Sequence, residues 1–364
     1  MEMEDFYFKE LTNQPTVVHK PAEKKQATVV RKPAVKRRRE YRSQSATHNL
    51  RATMDLGAAM RLRGPEHKFV LVGGSTGYNV SDVCWALDTP DDGFFWKCFA
   101  EVPKDMRQQY GYSVCAIDSK SFVMAGGGSN SSCALGCFKY SVKSGVWEKL
   151  RDTTVARCSA GLVCLNKVLY FLGGEGNRNA LLKSCEKMDL KLSGPRQRWI
   201  RCANMAQPMV FPHAAAAGDS VYVVSNTHHD NKIKPGTPLT LQCYDPRKDR
   251  WNYAANLPSG IRDTFGASVL GDGGFVYLVG GWEKLCARYD VNTDAWTMLK
   301  RCPSVHSFAG VCIAGGKINV FGGNDEQGLT SSCEEYDVEK DEWRTRTLEM
   351  PENICHHHAL VLYM

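Results

Sequence analysis

Apolar segments that end at a pair of glycines recur along most of this 364-residue chain. The pairs are Gly73-Gly74, Gly126-Gly127, Gly173-Gly174, Gly280-Gly281 and Gly322-Gly323. A sixth segment, residues 221–226, has the same apolar run but ends in Ser225-Asn226. Because repetition at a regular period indicates an array of similar structural units, this self-similarity constrains the fold more than any other feature of the chain.

A tryptophan follows each of these segments, and consecutive tryptophans are 45 to 52 residues apart. They are Trp96, Trp147, Trp199, Trp251, Trp296 and Trp343. In four units a tyrosine precedes the tryptophan by seven residues, namely Tyr140, Tyr244, Tyr289 and Tyr336. The first and third units have Leu87-Asp88 and Met188-Asp189 at that place. The polar residues between tyrosine and tryptophan predict a strand, a short turn and a second strand.

Six such units resemble kelch repeats, and the resemblance covers residues 66–364. It implies an all-β fold, a six-bladed kelch β-propeller. The physical argument agrees, since a single four-stranded sheet leaves both faces wet, whereas blades stacked around an axis bury those faces and keep their edges short. Glycines suit strands that crowd near the axis. Tyrosine and tryptophan fill the wider space between the outer parts of the blades.

The two ends of the repeat region are expected to meet in one blade. No apolar strand precedes the first glycine pair, whereas Ala160–Leu165 precedes the third. After Trp343 the chain continues into one further apolar segment that has no unit of its own. We therefore expect residues 356–364 to supply the first strand of blade one and to close the ring.

Residues 1–51 differ in kind from the repeats. They contain twelve Lys and Arg residues against six Asp and Glu residues, and so carry +6 of the chain's formal charge of +7. Few large apolar residues and several prolines predict a disordered basic arm, followed by a linker over residues 52–65. A charge confined to an arm says nothing about the ligand of the propeller.

The arm includes four consecutive basic residues, Lys36, Arg37, Arg38 and Arg39. Such a run is typical of a nuclear-localisation signal or a phosphate-binding cluster, and it fits a solubilising tail equally well. No aromatic residues alternate with these charges to stack on bases, so nucleic-acid binding is not expected. The acidic start does not resemble a signal peptide, and no apolar run reaches the roughly 18 residues of a membrane helix. We expect a cytoplasmic or nuclear location and no membrane partner.

Fifteen cysteines are scattered through the repeats, and no two have the CxxC spacing of zinc or redox motifs. Most of them lie in apolar, strand-like segments. We interpret them as reduced, buried side chains, because free cysteine behaves as a small hydrophobic residue. No single cysteine is marked as a redox sensor.

Some relatives of kelch proteins are enzymes, so a catalytic site is the alternative to consider. A copper site like that of galactose oxidase needs two histidines and two tyrosines near the axis. The candidate histidines are His213, His306 and residues 356–358. In a strand His357 points away from His356 and His358, so the three cannot bind one ion. Motifs of nucleotide-binding proteins, metalloproteases and serine hydrolases are absent. We predict a non-catalytic chain without metal or cofactor, with a galactose-oxidase-like or sugar-acting enzyme as the alternative.

Many kelch repeats carry an arginine shortly before the first strand of a blade. In family members that bind acidic peptides, such arginines hold carboxylates. The corresponding positions here are Gln109, Arg157, Val210, Arg262, His306 and Ile354. Arg157 and Arg262 match the family, and His306 is a further donor. Alternatively, these arginines hold the loops together. The other departures weaken the expectation of a strongly acidic ligand.

Insertions after the glycine pairs vary in length, and insertions that collect on one face of a repeat array indicate a binding face. The residues that follow the pairs there are Ser75, Glu175, Asn324 and Asp325. Together with Gln109, Arg157, Arg262 and His306 they form the predicted partner-binding set. The resemblance implies a protein-interaction module that binds a loop or peptide, as a ubiquitin-ligase substrate adaptor with a cullin partner or as a cytoskeletal scaffold with actin. Residues 1–65 are too short and polar for the BTB and BACK regions of many ligase adaptors.

Overall fold

The computed structural model describes residues 67–77, 79–88, 94–129, 132–209, 211–224 and 239–364. The predicted basic arm, its Lys36–Arg39 run and the linker lie outside the described residues. The boundaries at residues 51, 65 and 66 therefore remain predictions.

The described chain folds into 29 β-strands and three short 3₁₀ turns. Blades one to three contain β1 (His67–Val72), β2 (Val83–Asp88), β3 (Phe95–Glu101), β4 (Tyr110–Asp118), β5 (Ser121–Ser129), β6 (Ser132–Cys133), β7 (Cys137–Ser141), β8 (Val146–Lys149), β9 (Gly161–Leu165), β10 (Val168–Leu172), β11 (Glu175–Gly176), β12 (Ala180–Leu181), β13 (Cys185–Asp189) and β14 (Ile200–Cys202). Blades four to six contain β15 (His213–Ala217), β16 (Ser220–Val224), β17 (Leu241–Asp245), β18 (Arg250–Tyr253), β19 (Ala267–Asp272), β20 (Phe275–Gly280), β21 (Leu285–Asp290), β22 (Ala295–Met298), β23 (Gly310–Ala314), β24 (Lys317–Phe321), β25 (Asn324–Asp325), β26 (Gly328–Leu329), β27 (Cys333–Asp337) and β28 (Glu342–Thr345), and β29 (His358–Tyr363) ends the chain. The turns are Lys104–Met106, Asn177–Asn179 and Gly194–Arg196. Within the described residues, no helix is both long and apolar enough to cross a membrane.

The strands form six antiparallel sheets with four main strands each. Their orders are β29-β1-β2-β3, β4-β5-β7-β8, β9-β10-β13-β14, β15-β16-β17-β18, β19-β20-β21-β22 and β23-β24-β27-β28. The first strand of each sheet contacts the first strand of the next, in the closed sequence β29, β4, β9, β15, β19, β23 and back to β29. The fold is therefore a six-bladed β-propeller, as the repeats predicted.

The ring closes through the C-terminal strand. β29 pairs antiparallel with β1, and the register runs from His67 opposite Tyr363 to Val72 opposite His358. Leu360 and Leu362 are buried among residues of blades one and two. The sequence-based prediction that the last residues complete blade one is confirmed.

The glycine pairs lie where neighbouring blades press together. Gly126 has a φ of +71°, and a Cβ at this position would lie 2.5 Å from the carbonyl oxygen of Arg157 in blade three. An L-residue is disfavoured both by this φ and by the contact, so glycine is required on two grounds.

Each repeat tryptophan connects its own blade to the preceding one. The indole Nε1–H donates to a backbone carbonyl just beyond, or at the end of, the outer strand of that preceding blade. The pairs are Trp96–Glu349 (2.9 Å), Trp147–Glu101 (2.8 Å), Trp199–Arg151 (3.0 Å), Trp251–Ala203 (2.8 Å), Trp296–Ala255 (3.2 Å) and Trp343–Lys300 (2.6 Å). All six blade-to-blade contacts thus share one polar bond, and the Trp96 bond spans the ring closure.

An aspartate strengthens three of these contacts. Asp249, Asp294 and Asp341 each accept a hydrogen bond from the tyrosine hydroxyl of their own blade. The same carboxylate oxygen accepts a backbone N–H of the preceding blade, at 2.8 to 2.9 Å. The tyrosine ring in turn contacts the tryptophan ring, with centroids 5.0 to 5.4 Å apart. The tyrosine and tryptophan repeats therefore hold neighbouring blades together, as expected.

Removing residues 356–364 should abolish cooperative thermal unfolding, because β1 would lose one of its two hydrogen-bonded neighbours and the ring of inner strands would open. Circular dichroism or calorimetric melting measures this. A variant that lacks only Met364, which is partly exposed and lies beyond β29, is the matched control and should melt like the full chain. A 355-residue variant that melts cooperatively at the full-length temperature would show that the closure is dispensable.

Candidate partner-binding site

The predicted site residues lie at one end of the propeller. In most blades the second strand ends at the glycine pair, and the antiparallel inner strand begins at the same end. We call this the Gly-Gly end. Short hairpins project from it, formed by β5 with β6, β11 with β12 and β25 with β26, and by a bridge between Ser75 and Val80.

A recurring backbone bond identifies equivalent residues before the inner strands. The N–H of the second glycine in one blade donates to a carbonyl in the next blade, a place we call the pre-strand position. The bonds are Gly127–Arg157 (3.0 Å), Gly174–Met209 (2.8 Å), Gly281–His306 (2.9 Å) and Gly323–Ile354 (2.9 Å). Arg157, His306 and Ile354 therefore occupy the position that the sequence assigned to them.

Two assignments from the sequence are wrong by one or two residues. Met209, and not Val210, fills the pre-strand position of blade four; Val210 itself lies outside the described residues. In blade five the turn glycine with positive φ is Gly266, and two residues before it stands Thr264, not Arg262. The segment that leads into blade five is longer than in blades three and six, so aligning arginine with arginine shifted the register.

The Arg157 side chain points into the protein. It is 0% exposed, and its Nη1 donates to the carbonyls of Gly173 (2.8 Å) and Ser184 (2.9 Å). Its Nη2 lies 3.3 Å from the carboxylate of Glu186, which is also fully buried. The guanidinium carbon lies 5.2 Å from the Phe171 ring centroid. These contacts favour the loop-holding role over contact with a partner.

His306 takes the same position in blade six and is also buried. Its Nδ1 lies 2.7 Å from the Gly322 carbonyl, which can only accept, so Nδ1 carries the hydrogen. Its Nε2 lies 3.4 Å from the carboxylate of Glu334, without hydrogen-bond geometry. Glu334 has the same position in β27 that Glu186 has in β13. Blades three and six therefore each bury a glutamate next to the side chain at the pre-strand position.

Three other predicted residues share a structural role. The backbones of Ser75, Glu175 and Asn324 bridge antiparallel to the residue that follows the pre-strand position, which is Cys355, Cys158 and Ser307 respectively. Asn324 is 2% exposed. Ser75 and Glu175 are half-buried.

The remaining three predicted residues keep some accessible surface. Arg262 is exposed, and its backbone N–H donates to the Glu283 carboxylate at 3.3 Å. Asp325 is half-buried and accepts the Gln327 N–H at 2.7 Å. Gln109 is half-buried, and its amide donates to the Asp105 carbonyl at 2.6 Å. Partner contact by the eight predicted residues remains a prediction, and Arg262 is the most accessible of them.

The structure brings four aromatic side chains together around the axis at the Gly-Gly end. Phe308 stacks on His356 with centroids 4.1 Å apart, and Phe265 meets Phe308 edge-on at 4.9 Å. Phe211 lies 5.5 Å from Phe308 and 5.7 Å from His356. We call Phe211, Phe265, Phe308 and His356 the aromatic cluster. His356 is exposed, and the three phenylalanines are half-buried.

Three members of the cluster have strained backbones. Phe211, Phe308 and His356 have φ values of 47°, 56° and 54°, a region that bulky residues rarely adopt. Each lies two residues after the pre-strand position, at a turn where blade two has Gly111 and blade five has Gly266. The signal that sequence reasoning missed is therefore a bulky ring where the other three blades have glycine or serine. Such strain costs on the order of 1–3 kcal/mol per residue and concentrates at functional sites.

Backbone hydrogen bonds link these turn residues around the axis. The N–H groups of Ser159, Phe211, Phe308 and His356 donate to the turn-residue carbonyls of Gly111, Ser159, Gly266 and Phe308, respectively, at 2.6 to 2.9 Å. Each donor and its acceptor belong to different blades. The cluster thus lies on the turns that lead into the inner strands and not on the projecting hairpins.

His356 acts as an aromatic ring and not as a cation at neutral pH. Desolvation by the surrounding protein, followed by repulsion from the nearby His213 and His358, lowers the pKa of His356 to about 4. A neutral imidazole stacks on Phe308 without a charge to be hydrated.

Two of the histidines considered as copper ligands contact backbone groups instead. His358 Nε2 lies 3.0 Å from the Tyr112 carbonyl, and His357 Nε2 accepts the Gly310 N–H at 3.2 Å. In the part of the chain that the structure describes, no three His, Cys, Asp or Glu side chains come close enough to bind a metal ion.

Replacing Arg157 with alanine should lower the free energy of unfolding by about 3–5 kcal/mol, because it leaves the buried Glu186 carboxylate without its cation. Urea denaturation measures this. Blade four supplies the matched control, since it has Met209 and the buried Gln242 at the two equivalent positions. The double variant Arg157→Met, Glu186→Gln reproduces that pair and should recover most of the loss. Equal stability of Arg157→Ala and wild type would contradict a structural role.

Comparison with known proteins agrees with the geometry. A family model described as "Kelch motif" matches residues 306–346. Kelch-like protein 25 of Xenopus tropicalis is 27% identical over 301 residues, 77% of this chain and 47% of that protein. Kelch-like protein 35 of Mus musculus is 26% identical over 240 residues (65% and 38%), and Kelch-like protein 41a of Danio rerio is 36% identical over 200 residues (52% and 32%). The chain spans less than half the length of each of these relatives. The six repeats and the closed ring of inner strands make the described chain a six-bladed β-propeller, which carries a Kelch motif and is similar to Kelch-like proteins.

Proposed function

We propose that the chain is a non-catalytic protein-interaction module whose partner binds at the Gly-Gly end, over the aromatic cluster. The observation that carries the proposal is that Phe211, Phe308 and His356 hold strained left-handed backbones at an accessible axial opening. Bulky side chains are disfavoured at such backbone angles. Partly exposed aromatic side chains at the centre of a polar surface are typical anchors of protein interfaces.

The surroundings of the cluster support a protein partner. Hairpins from blades one, two, three and six stand around the opening and offer polar side chains and backbone groups. A dry aromatic centre inside a polar rim is the usual anatomy of a specific interface.

The buried pairs at the pre-strand position limit the chemistry of the partner. Arg157 and His306 face Glu186 and Glu334 inside the blades, so they do not offer a cationic clamp to carboxylates. Arg262 is the exposed arginine of the predicted set. We therefore propose that a loop or peptide with an apolar or aromatic anchor residue binds here, with Arg262 as a peripheral contact.

Replacing Phe308 with glycine, or Phe211 with glycine, should reduce partner capture by the immobilised full-length chain at least about tenfold, the effect of losing an interface anchor worth 1.4 kcal/mol or more. Glycine is native at this turn in blades two and five, so the fold should be preserved. Quantitative mass spectrometry of captured proteins measures the effect.

The matched control is Tyr253→Ala, which removes an aromatic ring that is 60% exposed on the outer strand β18. It should leave capture unchanged. If the two glycine variants capture the same partners as wild type while melting normally, the aromatic cluster is not the binding centre.

We further propose that partner binding serves an adaptor role, delivering a substrate to a cullin ubiquitin ligase, with an actin-linked scaffold as the other role that the family resemblance implies. The captured proteins separate the two. Cullin subunits that co-purify with the wild type favour the first role, and actin or actin-binding proteins favour the second. An enzyme on the same fold would instead show a stoichiometric copper or iron in metal analysis of the purified chain.

We also propose that residues Lys36–Arg39 direct the chain to the nucleus. Changing all four to glutamine should move a fluorescently tagged chain from nucleus to cytoplasm, because a basic cluster is what import receptors read. Replacing Lys24 and Lys25 in the same way is the control, and it should leave the distribution unchanged. A nuclear fraction that does not respond to the fourfold change would refute the signal.

A further inference from the structure

We propose that Cys133 and Cys158 form an oxidation site at which a peroxide converts the two thiols into a disulfide between blades two and three. Their sulfur atoms lie 3.4 Å apart. Cys133 belongs to β6, in the hairpin of blade two, and Cys158 directly follows the pre-strand residue Arg157 of blade three. The bond would therefore join two blades at the Gly-Gly end, and the site stands independently of the proposed function.

Both cysteines are held by the same neighbouring hairpin. The backbone of Cys158 exchanges hydrogen bonds with Glu175 at 2.8 and 2.9 Å. The backbone N–H of Cys133 donates to the Asn177 side chain at 2.8 Å, and its thiol lies 3.3 Å from the Glu175 carbonyl. Glu175 and Asn177 thus hold the two segments side by side, and disulfide formation requires the sulfur atoms to approach from 3.4 Å to ~2.05 Å.

The two thiols differ in access, which assigns the order of steps. Cys133 is half-buried, whereas Cys158 is 5% exposed. Burial, and then the neighbouring Cys133 and Glu175, raise the pKa of the Cys158 thiol, so it stays protonated at neutral pH. An oxidant from solvent reaches Cys133 first, and Cys158 is the resolving thiol.

The chemistry balances with hydrogen peroxide as the oxidant. The Cys133 thiolate attacks one peroxide oxygen, the O–O bond breaks, and hydroxide leaves, which forms a sulfenic acid. The Cys158 sulfur then attacks the Cys133 sulfur, the S–S bond forms, and the S–O bond breaks as the Cys158 proton leaves with the hydroxyl group as water. In total, two thiols and one peroxide give one disulfide and two waters.

Other cysteines provide internal comparisons. Cys98 is exposed, and Cys185 and Cys202 are cross-strand neighbours that are both buried. Cys98 reports that the oxidant is active. The Cys185–Cys202 pair shows whether two neighbouring thiols form a disulfide when both are buried away from the oxidant.

The test is peroxide treatment of the full chain, alkylation of the remaining thiols without reduction, and peptide mapping by mass spectrometry. We expect a peptide that links Cys133 to Cys158, about 2 Da lighter than the two thiol peptides together, and its loss after treatment with dithiothreitol. In Cys158→Ser, Cys133 should instead be trapped by dimedone as a sulfenic acid. In Cys133→Ser, Cys158 should remain alkylatable.

Two results would overturn the proposal. One is that both thiols remain alkylatable at a peroxide concentration that oxidises Cys98. The other is that Cys133 is oxidised to the sulfinic acid without a linked peptide. Because these readouts use the reduced wild-type fold as their reference, a folding defect in either serine variant does not affect them.

Discussion

The hydrogen bond from each repeat tryptophan to the preceding blade is the interaction on which the rest of the structure depends. A single four-stranded blade cannot bury its faces, so the propeller exists only through contacts between neighbours. Tryptophan suits this place because its ring fills the wide outer gap while its N–H donates to a backbone carbonyl of the neighbouring blade. The bond is present in all six blade-to-blade contacts, including Trp96–Glu349 at the closure. The contact between blades six and one, where the ring closes, therefore has the same tryptophan bond as the other five contacts.

The pre-strand position is occupied by chemically different side chains in different blades. Where the inner strand begins, blade three buries Arg157 against Glu186, blade six buries His306 beside Glu334, and blade one uses Ile354. A buried ion pair and an apolar side chain are close to interchangeable in stability when each is well accommodated. The blades can therefore differ here without losing the fold.

Because Arg157 and His306 point into the blades, the axial opening is left to the aromatic cluster. Residues two places further along adopt left-handed turns, and in three blades these turns carry Phe211, Phe308 and His356. The opening thus combines strained backbone, accessible ring surface and a neutral imidazole. The free energy stored there has no evident structural use, since Gly111 and Gly266 make the same turn without it.

Sequence alone determined the number of blades and the strand that closes the ring, because glycine, tyrosine and tryptophan recur at the same places in most of the blades. It did not determine which side chains face the opening. The direction of Arg157 depends on Glu186, 29 residues away along the chain, and on the carbonyls of Gly173 and Ser184. The equivalence of Thr264 and His306 is visible only in the bonds between blades. These facts are properties of neighbouring sheets in space, so only the tertiary structure could decide them.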